Sequence, residues 1–242
     1  MEAPRFLTAE WRNLVMLNYE VDPRALAARI PRGCELDDWA GRTFVSAVGF
    51  QFFETRVRGV PIPFHRNFEE VNLRFYVRRK CEGQWRRGVV FVKELVPRRA
   101  IAWVARGVYG ENYAALPMRH SVQIGAGGGA SSASYEWRRG GVWEGLSVRF
   151  SGEPKLSAED SEHAFITEHY WGYAGGAGRA SLEYRVEHPR WRVWDTSAAE
   201  LRCDVRALYG AEFAEALAGP PSTAFVAEGS AVVVRHGVVC SP

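Results

Sequence analysis

A chain of 242 residues, 47% of them apolar, can bury a sizeable core, and its length suits one large α+β or barrel domain or two small ones. Its formal net charge of +3 is too weak to argue for nucleic acid, and no apolar run reaches the roughly 18 residues needed to span a bilayer. Of the 31 basic residues only Lys80, Lys93 and Lys155 are lysines, which leaves 28 arginines and few amines for Schiff-base chemistry.

Trp11–Glu20 alternates loosely and predicts a strand. Asp22-Pro23 supplies a capping acid and a first-turn proline, so a short helix over Arg24–Ile30 follows. Glu35–Leu36, a turn at Trp39-Ala40-Gly41 and Thr43–Glu54 predict a hairpin. The aromatic, β-branched run Phe44–Phe53 should be a central strand, with Gly49 marking a bulge or a close backbone approach. After a proline-rich loop comes a strand over Glu70–Arg78, a turn at Glu82-Gly83, and a returning strand over Gly88–Val96. Pro97 opens a helix over Arg98–Tyr109, where Ile101, Val104, Ala105 and Val108 fall at helical spacing. Pro117–Ile124 is strand-like. The glycine-rich Gly125–Ser134 reads as a hairpin connection, because a phosphate loop needs a strand before it and a helix after it. Tyr135–Trp137 and Leu146–Phe150 are further strands, Ser157 caps a helix over Ala158–Ala164, and Ser181–Val186 is a strand. A helix near Ala207–Leu217 and two strands, Thr223–Ala227 and Ala231–Arg235, close the series. Strands do not alternate with helices, which favours a curved, mostly antiparallel sheet or barrel over a doubly wound fold. Cys34, Cys81, Cys203 and Cys240 show no CxxC or metal-ligand rhythm and no leader pattern opens the chain, so the expected setting is the cytoplasm, with reduced thiols.

Within the strand over Glu70–Arg78, alternation puts Val71, Leu73, Phe75 and Val77 on one face and Glu70, Asn72, Arg74 and Tyr76 on the other. An acid, an amide, a guanidinium and a phenol in one row suit either a solvated sheet or the lining of a polar cavity. In a cavity, desolvation would raise the pKa of Glu70 and Arg74 would lower it; on the surface the pair would contribute little. The stiff loop before it presents His65, Arg66 and Asn67, as binding loops do. Arg119-His120 offers a fork for a carboxylate beside a base, or an ordinary strand start. Glu168-His169-Tyr170-Trp171-Gly172-Tyr173 and Glu187-His188 combine aromatic walls with acid–base groups, the usual make-up of small-molecule pockets. The histidines at 65, 120, 169 and 188 show no HxH, HxxxH or HExxH spacing, so no metal and no cofactor is expected. A GxSxG elbow is absent.

Phe6-Leu-Thr-Ala-Glu-Trp-Arg-Asn13, Val48-Gly-Phe50, Pro61-Ile-Pro-Phe-His-Arg-Asn-Phe-Glu-Glu-Val-Asn-Leu-Arg74, Val96-Pro-Arg-Arg99, Leu116-Pro-Met-Arg-His120, Glu168-His-Tyr-Trp-Gly-Tyr173 and Glu187-His-Pro189 together resemble the bacterial YqjF-like family, a domain of unknown function numbered 2071. That family is similar to the acetoacetate decarboxylase-like superfamily, which implies a curved β-barrel or cone around a small-ligand cavity. Decarboxylases of the superfamily use a Schiff-base lysine beside a second lysine that lowers its pKa, placed after a Gly-aromatic-Pro turn. The matching segment, Tyr109–Ala114, puts Tyr113 and Ala114 in the lysine slots, and neither forms an imine. Lys93 lies well before that turn and does not match, which argues against decarboxylation. The superfamily's cavity glutamate follows an aromatic-x-Glu pattern, which Phe68-Glu69-Glu70 fits.

The expectation is therefore one α+β, mostly β domain over residues 1–242: an acetoacetate decarboxylase-like antiparallel barrel or cone with a few peripheral helices. Glu70, Asn72, Arg74, Tyr113, Arg119, His120, His169 and Tyr170 would line its cavity, with His65 and Arg66 contributing from the loop. Arg74 or Arg119 would hold the anionic end of a small carboxylate or carbonyl compound, and Glu70 or His120 would move a proton. Such chemistry is lyase-like or isomerase-like and needs no lysine. A non-catalytic ligand sensor or binding protein on the same fold is the alternative. The expected partner is that ligand, without nucleic acid or membrane, and a homo-oligomer is compatible with the sequence.

Overall fold

Long aromatic and β-branched runs make this a protein of strands. The computed structural model describes residues 3–62, 65–98, 112–175 and 181–240. Its first half contains β1 (Arg5–Glu20), β2 (Cys34–Leu36), β3 (Phe44–Val57), β4 (Val60–Pro61), β5 (Phe68–Cys81), β6 (Gln84–Val96), β7 (Tyr113–Ala115) and β8 (Met118–Gln123). The second half contains β9 (Ser131–Arg139), β10 (Val142–Phe150), β11 (Lys155–Leu156), β12 (Trp171–Ala174), β13 (Leu182–Glu187), β14 (Arg192–Arg202), β15 (Thr223–Arg235) and β16 (Val238–Val239).

Pairing runs β13-β12-β6-β5-β3-β1-β15, and β15 returns to β13 through Val186↔Val234, so seven strands close a ring. Closure removes the exposed edges of an open sheet. The ring is mostly antiparallel, as expected, but its β6–β12 junction is parallel. From β15 the sheet continues through β14, β10, β9 and β8, which fold back as a second layer.

The layers explain the alternation in β5. Val71, Leu73, Phe75 and Val77 point outward into a core shared with Tyr135, Trp137, Leu146 and Val148 of the second layer. Phe68 and Tyr76 point inward, with Met16, Val48, Phe50 and Phe52. At Gly49 the layers approach closely: a Cβ there would lie 2.6 Å from the Tyr135 ring.

Several local expectations change. The segment expected as a helix over Arg24–Ile30 forms two 3-10 turns, because Asp22 caps only a single turn. The expected hairpin at residues 35–54 does not form; β2 pairs with β5, and Trp39↔Arg42 is an isolated bridge. Ser161, rather than Ser157, caps helix α1 (Glu162–Thr167), its hydroxyl accepting from the Ala164 N–H at 3.2 Å. Near 207–217 the chain makes only a short helix, α2 (Val205–Leu208), and a 3-10 turn. The two final strands are one long β15, bent at Gly229 with φ +81°. Of the helix expected over Arg98–Tyr109, all but Arg98 lies outside the described residues.

Candidate functional site

The ring encloses a cavity of about 180 Å³. Trp11, Phe50, Phe52, Phe68, Phe91, Trp171, Tyr184 and Trp191 form most of its wall. Glu70, Asn72, Arg74, Glu94, Tyr113, Thr167, His169 and His188 supply its polar groups, and His65 also lines it. The inward face of β5 therefore lines this cavity rather than open solvent.

Glu70 is 3% exposed. One of its carboxylate oxygens accepts from Asn72 Nδ2 at 3.0 Å, and the other is 3.5 Å from the Tyr113 hydroxyl. Because a carboxylate only accepts, this contact fixes the Asn72 amide with its oxygen turned away. Arg74 Nη2 donates to the Ile166 carbonyl at 3.2 Å, and its guanidinium lies 5.6 Å from the Tyr76 ring centre. His169 Nε2 is 3.1 Å from Asp37 Oδ2, and Arg87 Nε donates to the same oxygen at 2.6 Å. Burial would raise the Asp37 carboxyl, but hydrogen bonds from His169 and Arg87 outweigh it and hold the group below its ordinary range. Burial pushes His169 down to about 4 against the pull of Asp37. The ring is then neutral near pH 7, carries its proton on Nε2, and keeps a lone pair on Nδ1. His188 is also pushed down to about 4 by burial; its Nδ1–H donates to the Pro189 carbonyl at 2.9 Å, and its ring stacks on Trp191 at 4.0 Å.

Asn72 Oδ1, Arg74 Nε and His169 Nδ1 are buried without a hydrogen-bond partner. An unmet buried polar atom costs about 1–3 kcal/mol. Three such atoms on neighbouring cavity side chains suit a site that is completed by a ligand.

The remaining expected residues lie elsewhere. Glu69 and Glu70 are consecutive in β5 and point to opposite sides of the wall. His120 faces Glu69, with Nδ1 3.3 Å from Oε2, and also meets Gln51 at 2.9 Å, so it lies between the layers and does not share the cavity with Glu70. Arg119 is on the outer layer, its fork spent on Glu136 at 2.7 and 3.0 Å and its guanidinium over Trp143. Arg66 is exposed and paired with Glu54. The Tyr170 hydroxyl donates to Glu168, and its ring packs 4.8 Å from His188, behind the cavity wall.

Glu94, 1% exposed, is a cavity group that the sequence pattern hides. Strict alternation from Val89 and Phe91 would aim Lys93 inward and Glu94 outward. The β5–β6 register instead jumps between Leu73↔Lys93 and Arg74↔Phe91, which leaves Val92 as an extra residue. This bulge turns Val92 and Lys93 outward together and reverses the parity beyond them. Lys93 Nζ donates to the Leu208 carbonyl at 2.7 Å, outside the barrel. None of the three lysines lines the cavity. Asp37 was unmarked because only the fold brings it to His169, more than a hundred residues away. Among the described residues, no three His, Cys, Asp or Glu side chains converge in a metal-ligating group, and no helix is long and apolar enough to cross a membrane.

Residues 8–231 match the family described as DUF2071, uncharacterized conserved protein. The uncharacterized protein YqjF of Bacillus subtilis (strain 168) is 37% identical over 68 residues, a match spanning 28% of either chain. Among solved structures, the enduracididine biosynthesis enzyme MppR complexed with pyruvate superposes with a TM-score of 0.69 at 17% identity, covering 100% of this chain and 92% of that one. Acetoacetate decarboxylase from Legionella pneumophila gives 0.66 at 11% identity, over 98% and 88%. An acetoacetate decarboxylase-like enzyme from Sphingomonas wittichii RW1 gives 0.62 at 15%, over 96% and 92%. The barrel is thus an acetoacetate decarboxylase-like fold.

Proposed function

Because this chain belongs to the DUF2071 family, whose description carries no activity, we propose its function from the cavity: a single-domain cytoplasmic protein that binds a small oxo acid or related carboxylate and enolises it without lysine. The observation that carries this is Glu70, buried in the cavity and held by Asn72 and Tyr113, on the same strand face as Arg74. A fold neighbour described in complex with pyruvate supports a small oxo acid as ligand.

In this reading Arg74 holds the carboxylate, and Glu70 takes a proton from the carbon next to the carbonyl. The electron pair moves into the C–C bond and charge gathers on the carbonyl oxygen, where the guanidinium stabilises it. Protonation of the enolate on oxygen gives the enol and on carbon the oxo acid, so the interconversion of the two tautomers is isomerase-like. The aromatic wall adds affinity and no chemistry, and this favours a second reading, a binding protein or sensor that never converts its ligand.

Proton NMR in deuterated water separates the two. With pyruvate as probe, enolisation washes out the methyl protons faster than the buffer blank. Glu70→Gln should slow this by roughly a hundredfold or more, within the range of a single general base, and keep binding within about tenfold. Binding without exchange leaves the sensor; if no oxo acid or 2-hydroxy acid binds, pyruvate, lactate and their larger homologues included, the reading is refuted.

A further inference from the structure

The proposed reading assigns the polar end of the cavity. The rest of the cavity bears on the body of the ligand, and the following inference rests on that reading. A cavity of about 150 Å³ lined by apolar side chains holds one benzene. The space here is about 180 Å³, enough for one ring and a short polar chain. A three-carbon acid at Arg74 would leave the aromatic side chains around it uncovered. Those side chains flank the polar row: Phe91 pairs with Arg74 and Phe50 with Glu70 across the neighbouring strands, and Trp11 meets Phe50 edge-on at 5.3 Å. Such surfaces favour a ring that adds offset or edge contacts.

The unpartnered atoms define the polar end further. Arg74 Nε is a donor and calls for an acceptor such as a carboxylate oxygen. Asn72 Oδ1 and His169 Nδ1 are both acceptors, the first by its bond to Glu70 and the second by its bond to Asp37. A plain oxo acid brings only acceptors and leaves both unmet. A hydroxyl on the carbon next to the carboxylate supplies the missing donor. The enol form of an oxo acid carries a hydroxyl at the same place.

We propose that this cavity takes a single-ring aromatic acid bearing a 2-hydroxyl, or the enol of the matching 2-oxo acid, with its ring against Phe50 and Phe91 and its hydroxyl donated to Asn72 or His169. The test is calorimetric titration of the whole wild-type protein with phenyllactate, 3-phenylpropionate, lactate and pyruvate. Phenyllactate should bind roughly ten- to a hundredfold more tightly than lactate, the range expected for burying one ring. It should also bind about tenfold or more tightly than 3-phenylpropionate, which has the ring but lacks the hydroxyl. Lactate or pyruvate binding as tightly as phenyllactate overturns the inference and leaves the parent reading standing. Equal binding of phenyllactate and 3-phenylpropionate overturns the hydroxyl assignment, and the inference with it. If none of the four acids binds, the parent reading itself fails.

Discussion

Lowering the pH from 7.5 to 5 should weaken the fold through His169. Its side chain is 1% exposed, and burial pushes it down to about 4 from the ordinary 6.5. The unfolded chain takes up a proton as the pH falls through 6.5, whereas the folded ring stays neutral until about 4. Proton uptake therefore favours the unfolded state across that window. The stability from this group is complete above 6.5, falls as the pH drops, and levels off below about 4. At pH 5 the unfolded ring is protonated and the folded ring is not, and the part of the affinity difference realised there is worth about 2 kcal/mol. His188 shifts in the same direction but is half-buried and contributes less. Asp37 and Glu144 have lowered carboxyl pKa values, so their contributions fade only below the ordinary carboxylate range and do not mask the histidine window. Urea unfolding at pH 7.5, 6.5, 5.5 and 5.0 should show stability declining by about 2–3 kcal/mol. His169→Gln should remove most of that slope. Stability constant to within about 0.5 kcal/mol, or a His169 ring that titrates near 6.5 by NMR, would refute the reasoning.

Ser46→Ala should cost about 1–3 kcal/mol in denaturant unfolding. Its hydroxyl donates to Asn18 Oδ1 at 2.6 Å and meets the Tyr76 hydroxyl at 2.6 Å, so both buried partners lose a contact; a cost under about 0.5 kcal/mol would count against a tight polar floor. Gly172→Ala would place a Cβ 2.0 Å from Tyr184 Cζ across the β12–β13 pair. Because Tyr184 lines the cavity, the variant should lose about 1–3 kcal/mol and bind phenyllactate more weakly than wild type; unchanged affinity would mean that the ring moves away from the cavity. Lys93→Met should leave oxo-acid binding unchanged, because the ammonium lies outside the ring. A binding loss above about tenfold would place that amine in the cavity's chemistry.

The barrel was legible where the strand period of two ran unbroken. The alternation in β5 distinguishes inward Glu70, Asn72 and Arg74 from outward Val71, Leu73 and Phe75, and the structure keeps that division. Gly49 within an aromatic strand predicts a bulge or a close approach, and the Tyr135 ring against it accounts for the second. The expectation that Arg119 and His120 join the cavity rests on residue type and on their place at a strand start, neither of which says which layer that strand enters. Nothing local says that β8 belongs to the second layer, since its pairing partner β9 lies beyond a glycine-rich loop. Asp37 carries no local signal, because its contacts to His169 and Arg87 exist only once β2 docks on β5. The short helices differ from expectation because a cap marks where a helix starts and not how far it runs, and packing allows these only one or two turns.

The inventory of the cavity depends on parity more than on composition. Two adjacent pairs, Glu69-Glu70 and Lys93-Glu94, each send one member inside. Shifting β6 by one residue would exchange Glu94 for Lys93, because a one-residue slip turns every side chain to the other face. An amine would then enter the ring on the strand that pairs with Asn72 and Arg74. The extra residue at Val92 prevents this: it places the amine against the Leu208 carbonyl and a second carboxyl inside. An imine needs a neutral amine within reach of a carbonyl carbon. Enolisation needs a carboxylate near a C–H and a cation near the oxygen. With this register the cavity holds the second set, so a single β-bulge separates the lysine-free chemistry proposed here from Schiff-base chemistry on the same strand.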